Sequence, residues 1–194
     1  MRRMKSPHAQ AELLCLKDNR CCVTLNDISK LLDTISLMEH EIKSIVGISV
    51  KEERDTYIND LSLAKNALIK IRGSLETVIQ VVVASRSSDD EAFIHTMSNI
   101  LNRLVEVRNR VTRISEGEAV PEDVKKIARR AIMLIDAMLF SLSIIFLSLS
   151  TRIKKWSKEL AGAFSSSIAS ALFASLLTMH ENSDVMKYIG ECLA

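Results

Sequence analysis

Three consecutive stretches of this chain place apolar residues at alternating three- and four-residue steps, the spacing that lines up side chains on one face of an α-helix. The first stripe is Leu25, Ile28, Leu32, Ile35, Met38, Ile42 and Ile45. The second is Tyr57, Leu61, Ala64, Leu68, Ile71, Leu75, Val78 and Val82, an unbroken seven-residue repeat of the kind that packs helix on helix. The third is Phe93, Met97, Ile100, Leu104, Val107, Val111 and Ile114. An apolar stripe on a long helix has to be covered, and similar stripes on its neighbours cover it best.

The punctuation between the stripes agrees. Turns and irregular loops need proline and glycine, whereas helix interiors tolerate neither well, and 194 residues hold only 2 prolines and 5 unclustered glycines. Thr24 or Asn26 can cap the first helix, which runs to about Val46 before Gly47. Ser49 with Glu52, and Ser88 with Glu91, make capping boxes in which each side chain satisfies the other residue's backbone N–H. Gly117 ends the third helix, and Pro121 opens a fourth with Glu122 and Asp123 at its positive end. Short connections make each long helix double back on the one before. The expected fold is therefore all-α, an up-and-down antiparallel bundle of four long helices plus one or two C-terminal ones, with an apolar central helix. Residues 1–22 are polar and aperiodic and read as a loosely ordered arm or short helix, and 23–194 as a single bundle domain. Asn182 or Ser183 can cap a last short helix carrying Val185, Met186, Tyr188 and Ile189.

The fourth helix is unusual. Residues 131–149 read AIMLIDAMLFSLSIIFLSL, with Asp136 as the lone charge. As a helix this stretch is about 29 Å long, close to the hydrocarbon thickness of a bilayer. Lys125, Lys126, Arg129 and Arg130 precede it, and Arg152, Lys154, Lys155 and Trp156 follow. Such flanks suit a membrane segment, because long cationic side chains snorkel and tryptophan favours the interface. Residues 161–179 are uncharged and rich in alanine and serine, with Phe164, Ile168, Leu172, Leu176 and Met179 on one face. Small residues opposite permit close helix approach. Residues 124–179 thus form an apolar helical pair.

Magnitudes place this pair at a balance point. Each Leu, Ile or Phe contributes roughly −0.3 to −0.6 kcal/mol to insertion, while a central Asp costs about 2.5 to 3.5 kcal/mol. The 11 such residues in 131–149 roughly offset Asp136 and the serines. Insertion is marginal for the first segment and unfavourable for the second alone. Two readings follow. In one, the pair engages or inserts into membranes, as a pore-forming or membrane-remodelling element. Its membrane or interface candidates are then Asp136, Phe140, Ile144, Ile145, Phe146, Trp156, Lys154, Lys155, Phe164 and Phe173. In the other, the chain is a soluble self-assembling scaffold or adaptor, coat-type assemblies included, with the apolar helix in its core. Asp136 then needs a buried partner, such as an arginine of the third helix.

Partners follow from the same features: membrane lipid or partner helices, and a homo-oligomer that covers the overhanging valines at 81–83. Nucleic acid is the less favoured partner. The outer face of the third helix carries Arg103, Arg108, Arg110 and Arg113, of which Arg103, Arg110 and Arg113, joined by Arg129 and Arg130, would make a phosphate-contacting stripe. Against it stand a net charge of only +2, 4% aromatic residues and the lack of a helix-turn-helix signal.

Cys15, Cys21, Cys22 and Cys192 match no zinc-ligand spacing. They read as free thiols of a reducing compartment, with S-acylation of the first three as the alternative. With a charge-rich start in place of a secretory signal, this favours an intracellular protein peripheral to a membrane. No glycine-rich phosphate loop is present, and His8, His40, His95 and His180 are scattered, none with a carboxylate three residues before it. The expectation is a non-enzymatic protein, with no catalytic residue, cofactor, metal or small-molecule substrate inferred.

Overall fold

A computed structural model describes residues 13–15, 21–45, 51–83, 90–151, 153 and 156–179. Among these residues two short strands, Leu13–Cys15 (β1) and Cys22–Thr24 (β2), precede five helices: Leu25–Ser44 (α1), Lys51–Val83 (α2), Asp90–Glu116 (α3), Glu122–Ser150 (α4) and Lys158–Met179 (α5). α1 packs on α2, α2 on α3, α3 on α4, and α4 back on α1. α5 lies outside that ring, against α3 and α4. The protein is thus mostly helical, its helices packed against one another.

Local chemistry sets the helix ends. Thr24 accepts a hydrogen bond from the Asp27 N–H at 3.1 Å, and the Asp27 carboxylate accepts one from the Thr24 N–H at 2.9 Å. This is a capping box with aspartate in the usual glutamate position. α1 ends with Ile45 at its cap, while Gly47, Ser49 and Ser88 lie outside the described residues. α4 starts after Pro121 with Glu122 and Asp123 in its first turn, as the sequence predicts. Gly117 is closely packed where α3 gives way to α4. A Cβ there would sit 2.8 Å from Cζ of Tyr57 and 2.9 Å from Cγ2 of Val120.

The stripes form the core. Leu61, Ala64, Leu68, Ile71, Leu75 and Val78 of α2 are fully buried, as are Met97, Ile100, Leu104, Val107, Val111 and Ile114 of α3. In α1 the fully buried position is Leu31, with Leu32 only packed at the edge of the core. Either residue satisfies the helical spacing, so periodicity alone does not choose between them. α3 is covered on more than one side. Ile94 and Leu101 are buried along with the main stripe because α2, α4 and α5 all touch this helix.

One expectation about the N-terminal region, that of free thiols, fails. The two strands pair antiparallel, Leu13 with Thr24, Leu14 with Val23 and Cys15 with Cys22. Alternation along a strand sends Leu14 and Val23 together into the core. The next cross-strand pair, Cys15 and Cys22, is joined as a disulfide across a Cα–Cα distance of 4.2 Å. Cys21 is buried and disulfide-bonded as well. Cys15, Cys21 and Cys22 are therefore neither free thiols nor acylation sites, because strand register places two of them face to face. The preference for a reducing compartment that rested on them loses its support. Cys192 lies outside the described residues.

Candidate functional site

α4 and α5 are each long and apolar enough to cross a membrane by length and composition, but the bundle treats them differently. Of the most apolar window of α4, 67% is buried, against 39% for α5. α4 is covered by α1, α3, α5 and β2, whereas among the described residues α5 packs mainly on α3 and α4.

Along α4 the buried polar residues Asp136, Ser141 and Ser143 all have hydrogen-bond partners. Asp136, 1% exposed, accepts a 2.6 Å hydrogen bond from Nε of Arg108 on α3. An arginine of the third helix does therefore meet the buried aspartate. Arg108 itself is buried and not on the outer face of α3, where the sequence reading places it. Ser141 and Ser143 donate to the carbonyls of Ala137 and Leu139, at 2.8 and 2.7 Å, within their own helix. A serine bonded to its own helix needs no outside partner, so it costs little in a core or in lipid. Phe140, Ile145 and Phe146 are buried and Ile144 is half-buried. Past the end of α4, Trp156 packs on Phe164 with ring centroids 5.7 Å apart. Lys154 and Lys155 lie outside the described residues.

α5 carries no charged residue after Glu159. Its inner face is Leu160, Phe164, Ser167, Ile168, Ala171, Ala174 and Ser175. That face is rotated from the one expected. Small residues join Phe164 and Ile168 against α3 and α4, because they let the helices approach closely. The rotation leaves Phe173 67% exposed and Leu176 54% exposed on an otherwise small, uncharged outer face. Leu147 of α4 and Trp156 are exposed too.

The basic residues do not form a stripe. Nη1 of Arg110 and Nη2 of Arg113 both lie 3.0 Å from Oδ1 of Asp60, a buried carboxylate of α2. Arg129 pairs with Glu122 at 2.9 Å on its own helix. Arg108 is in the core, Arg130 is exposed on α4, and Arg103 is half-buried facing α2. Asp60 was not singled out from the sequence. Arg108 had a readable signal, since Ile94, Leu101 and Arg108 form a seven-residue row along one side of α3. Among the described residues no group of three histidines, cysteines or carboxylates is placed to hold a metal ion.

No protein-family model, curated protein or solved structure matches this chain.

Proposed function

We propose that this protein is a non-enzymatic helical bundle that engages membranes through its C-terminal apolar pair, α4 and α5. The observation that carries the proposal is the outer face of α5, with Phe173 and Leu176 well exposed and no charge beyond Glu159. A helix facing only water ordinarily carries charge on its outer side. Exposed Leu147 and Trp156 extend the apolar surface to the end of α4. In this reading α5 makes first contact with lipid, and α4 is the reserve segment that inserts once the bundle opens. The up-and-down antiparallel course of the helices belongs to the same proposal. It is supported by pairs such as Lys65 with Glu39 and Arg72 with Ser29, in which higher numbers on α2 meet lower numbers on α1.

Sedimentation with lipid vesicles tests it. The protein is expected to pellet with anionic vesicles, and Phe173→Ser with Leu176→Ser to reduce the bound fraction several-fold without loss of helicity. Absence from the pellet at both neutral and low pH rejects the reading.

The thorough burial of α4 and the Asp136–Arg108 pair favour a second reading, a soluble self-assembling scaffold or adaptor. Exposed Leu63 and Ile69 of α2 would then serve as the assembly surface. It requires a concentration-dependent mass above 21.7 kDa in lipid-free buffer, and a strict monomer excludes it.

A further inference from the structure

α2 and α3 border an open groove of about 410 Å³ that the membrane reading does not use. α2 lines it with Lys70, Ser74 and Thr77, and α3 with Thr96, Asn99 and Arg103. The lining thus holds two cations and no carboxylate. Elsewhere between these helices charge is matched, since Arg110 and Arg113 share Asp60. Lys70 and Arg103 take part in none of the ion pairs found among the described residues.

The order of groups along the groove is informative. In the register that sets Asp60 against Arg110 and Arg113, Lys70 falls beside Arg103, Ser74 beside Asn99, and Thr77 beside Thr96. Thr77 and Thr96 donate their hydroxyl protons to the carbonyls of Gly73 and Ala92, at 3.0 and 2.8 Å. Both oxygens are left as acceptors. One end of the groove is cationic, the middle offers neutral donors, and the far end accepts hydrogen bonds.

Gly73 belongs to the same lining. It weakens the middle of a 33-residue helix, yet a Cβ there would meet nothing within 4 Å, so packing does not demand glycine. What glycine does provide is room in the groove.

We propose that this groove binds a phosphate monoester carried on a hydroxylated body. Arg103 presents the planar donor fork that matches phosphate oxygens, and Lys70 adds a compact second charge. Ser74 and Asn99 donate to the remaining oxygens, and Thr77 and Thr96 accept from hydroxyls of the body. The source is either a soluble polyol phosphate or the headgroup of a phosphorylated lipid. The proposal does not rest on the apolar pair, which is formed by other helices.

The test follows backbone amide resonances of the full chain during titration with glycerol phosphate and, separately, inorganic phosphate. In parallel the protein is sedimented with vesicles holding either phosphatidylinositol phosphate or phosphatidylserine at matched surface charge. Shifts are expected at residues 70–77 and 96–103. Lys70→Ala combined with Arg103→Ala should weaken binding about tenfold or more, the loss of two charge-assisted contacts. Gly73→Leu, which keeps both cations and fills the groove, should do the same. Arg130→Ala, which removes an exposed cation on α4, should not. Tight binding of glycerol phosphate with no preference between vesicles supports a soluble ligand. A vesicle preference for the phosphoinositide that the double variant abolishes supports a headgroup. The proposal is overturned by shifts scattered over surface lysines, by binding that survives Gly73→Leu, or by failure of every probe to bind. The Phe173 and Leu176 variants leave this groove intact, so the two proposals fail separately.

Discussion

Asp136 is 1% exposed in the middle of the most apolar helix, so its charge has to be met by another element. Arg108 meets it at 2.6 Å and is itself nearly fully buried. Removing one member of a buried pair strands the other, which costs about 3–5 kcal/mol, whereas replacing both with apolar residues of similar size is close to neutral. Urea unfolding of Asp136→Leu and of Arg108→Met should therefore show large losses, and the double variant should recover most of them. Additive losses in the double variant would mean that the pair does not act as a unit. The Asp136→Leu chain should also insert into vesicles more readily, since the costliest group for transfer to lipid is gone. A second residue-level effect is titratable. Hydrogen bonds from Lys43 and Lys65, at 2.5 and 2.7 Å, hold the Glu39 carboxyl below its usual range. The unfolded chain then takes up this proton first as pH falls. The contribution of Glu39 is complete above about pH 4.5 and disappears as pH drops through the lower folded value. Glu39→Gln should flatten the acid limb of the stability–pH curve below that point. Of these residues, Asp136 stands out in the sequence as a lone charge in an apolar run. Arg108 is harder to tell from Arg103, Arg110 and Arg113, and only its seven-residue row with Ile94 and Leu101 sets it apart.

The helices were readable as elements because each repeats one pattern many times over. The hairpin was not, because three residues per strand are too few to establish alternation. Its stability comes instead from a disulfide and from Leu14 and Val23 docking on the bundle. Closing a loop this short by a disulfide is worth about 2 kcal/mol. Cys15→Ser with Cys22→Ser should therefore lower the melting temperature by several degrees, at roughly 2–4 °C per kcal/mol for a chain of this size. An unchanged melting temperature would show that the docked residues hold the strands without the bridge. Glycine gives a sharper contrast between elements. Gly73→Ala should stabilise α2 by up to about 1 kcal/mol, because the added methyl meets nothing and the unfolded chain loses freedom. Gly117→Ala should destabilise, because the same methyl drives into Tyr57 and Val120. Opposite signs for one substitution at two helix positions are readable only once the neighbours are known.

At the scale of the whole molecule, the sequence marks the fourth helix as the apolar central one, and α4 is indeed the more buried of the two apolar helices. The difference lies in which elements cover each of them. α4 closes the ring with α1 and α3 and is covered again by α5, whereas α5 leans on that ring from outside. The difference predicts an order of opening. Detaching α5 gives up its contacts with α3 and α4 and leaves the ring closed, whereas removing α4 breaks contacts with α1, α3, α5 and β2 at once. Opening free energies track how much buried contact each element must lose. Native-state hydrogen exchange should therefore find amides of 164–174 exchanging through a low-energy opening, while those of 132–146 exchange only near global unfolding. Vesicles should change the first group before the second, since lipid would hold α5 away from the ring and expose the α3–α4 surface behind it. If both helices exchanged together at the global free energy, α5 would be an integral wall of the bundle. The route from surface contact to release of α4 would then lose its first step.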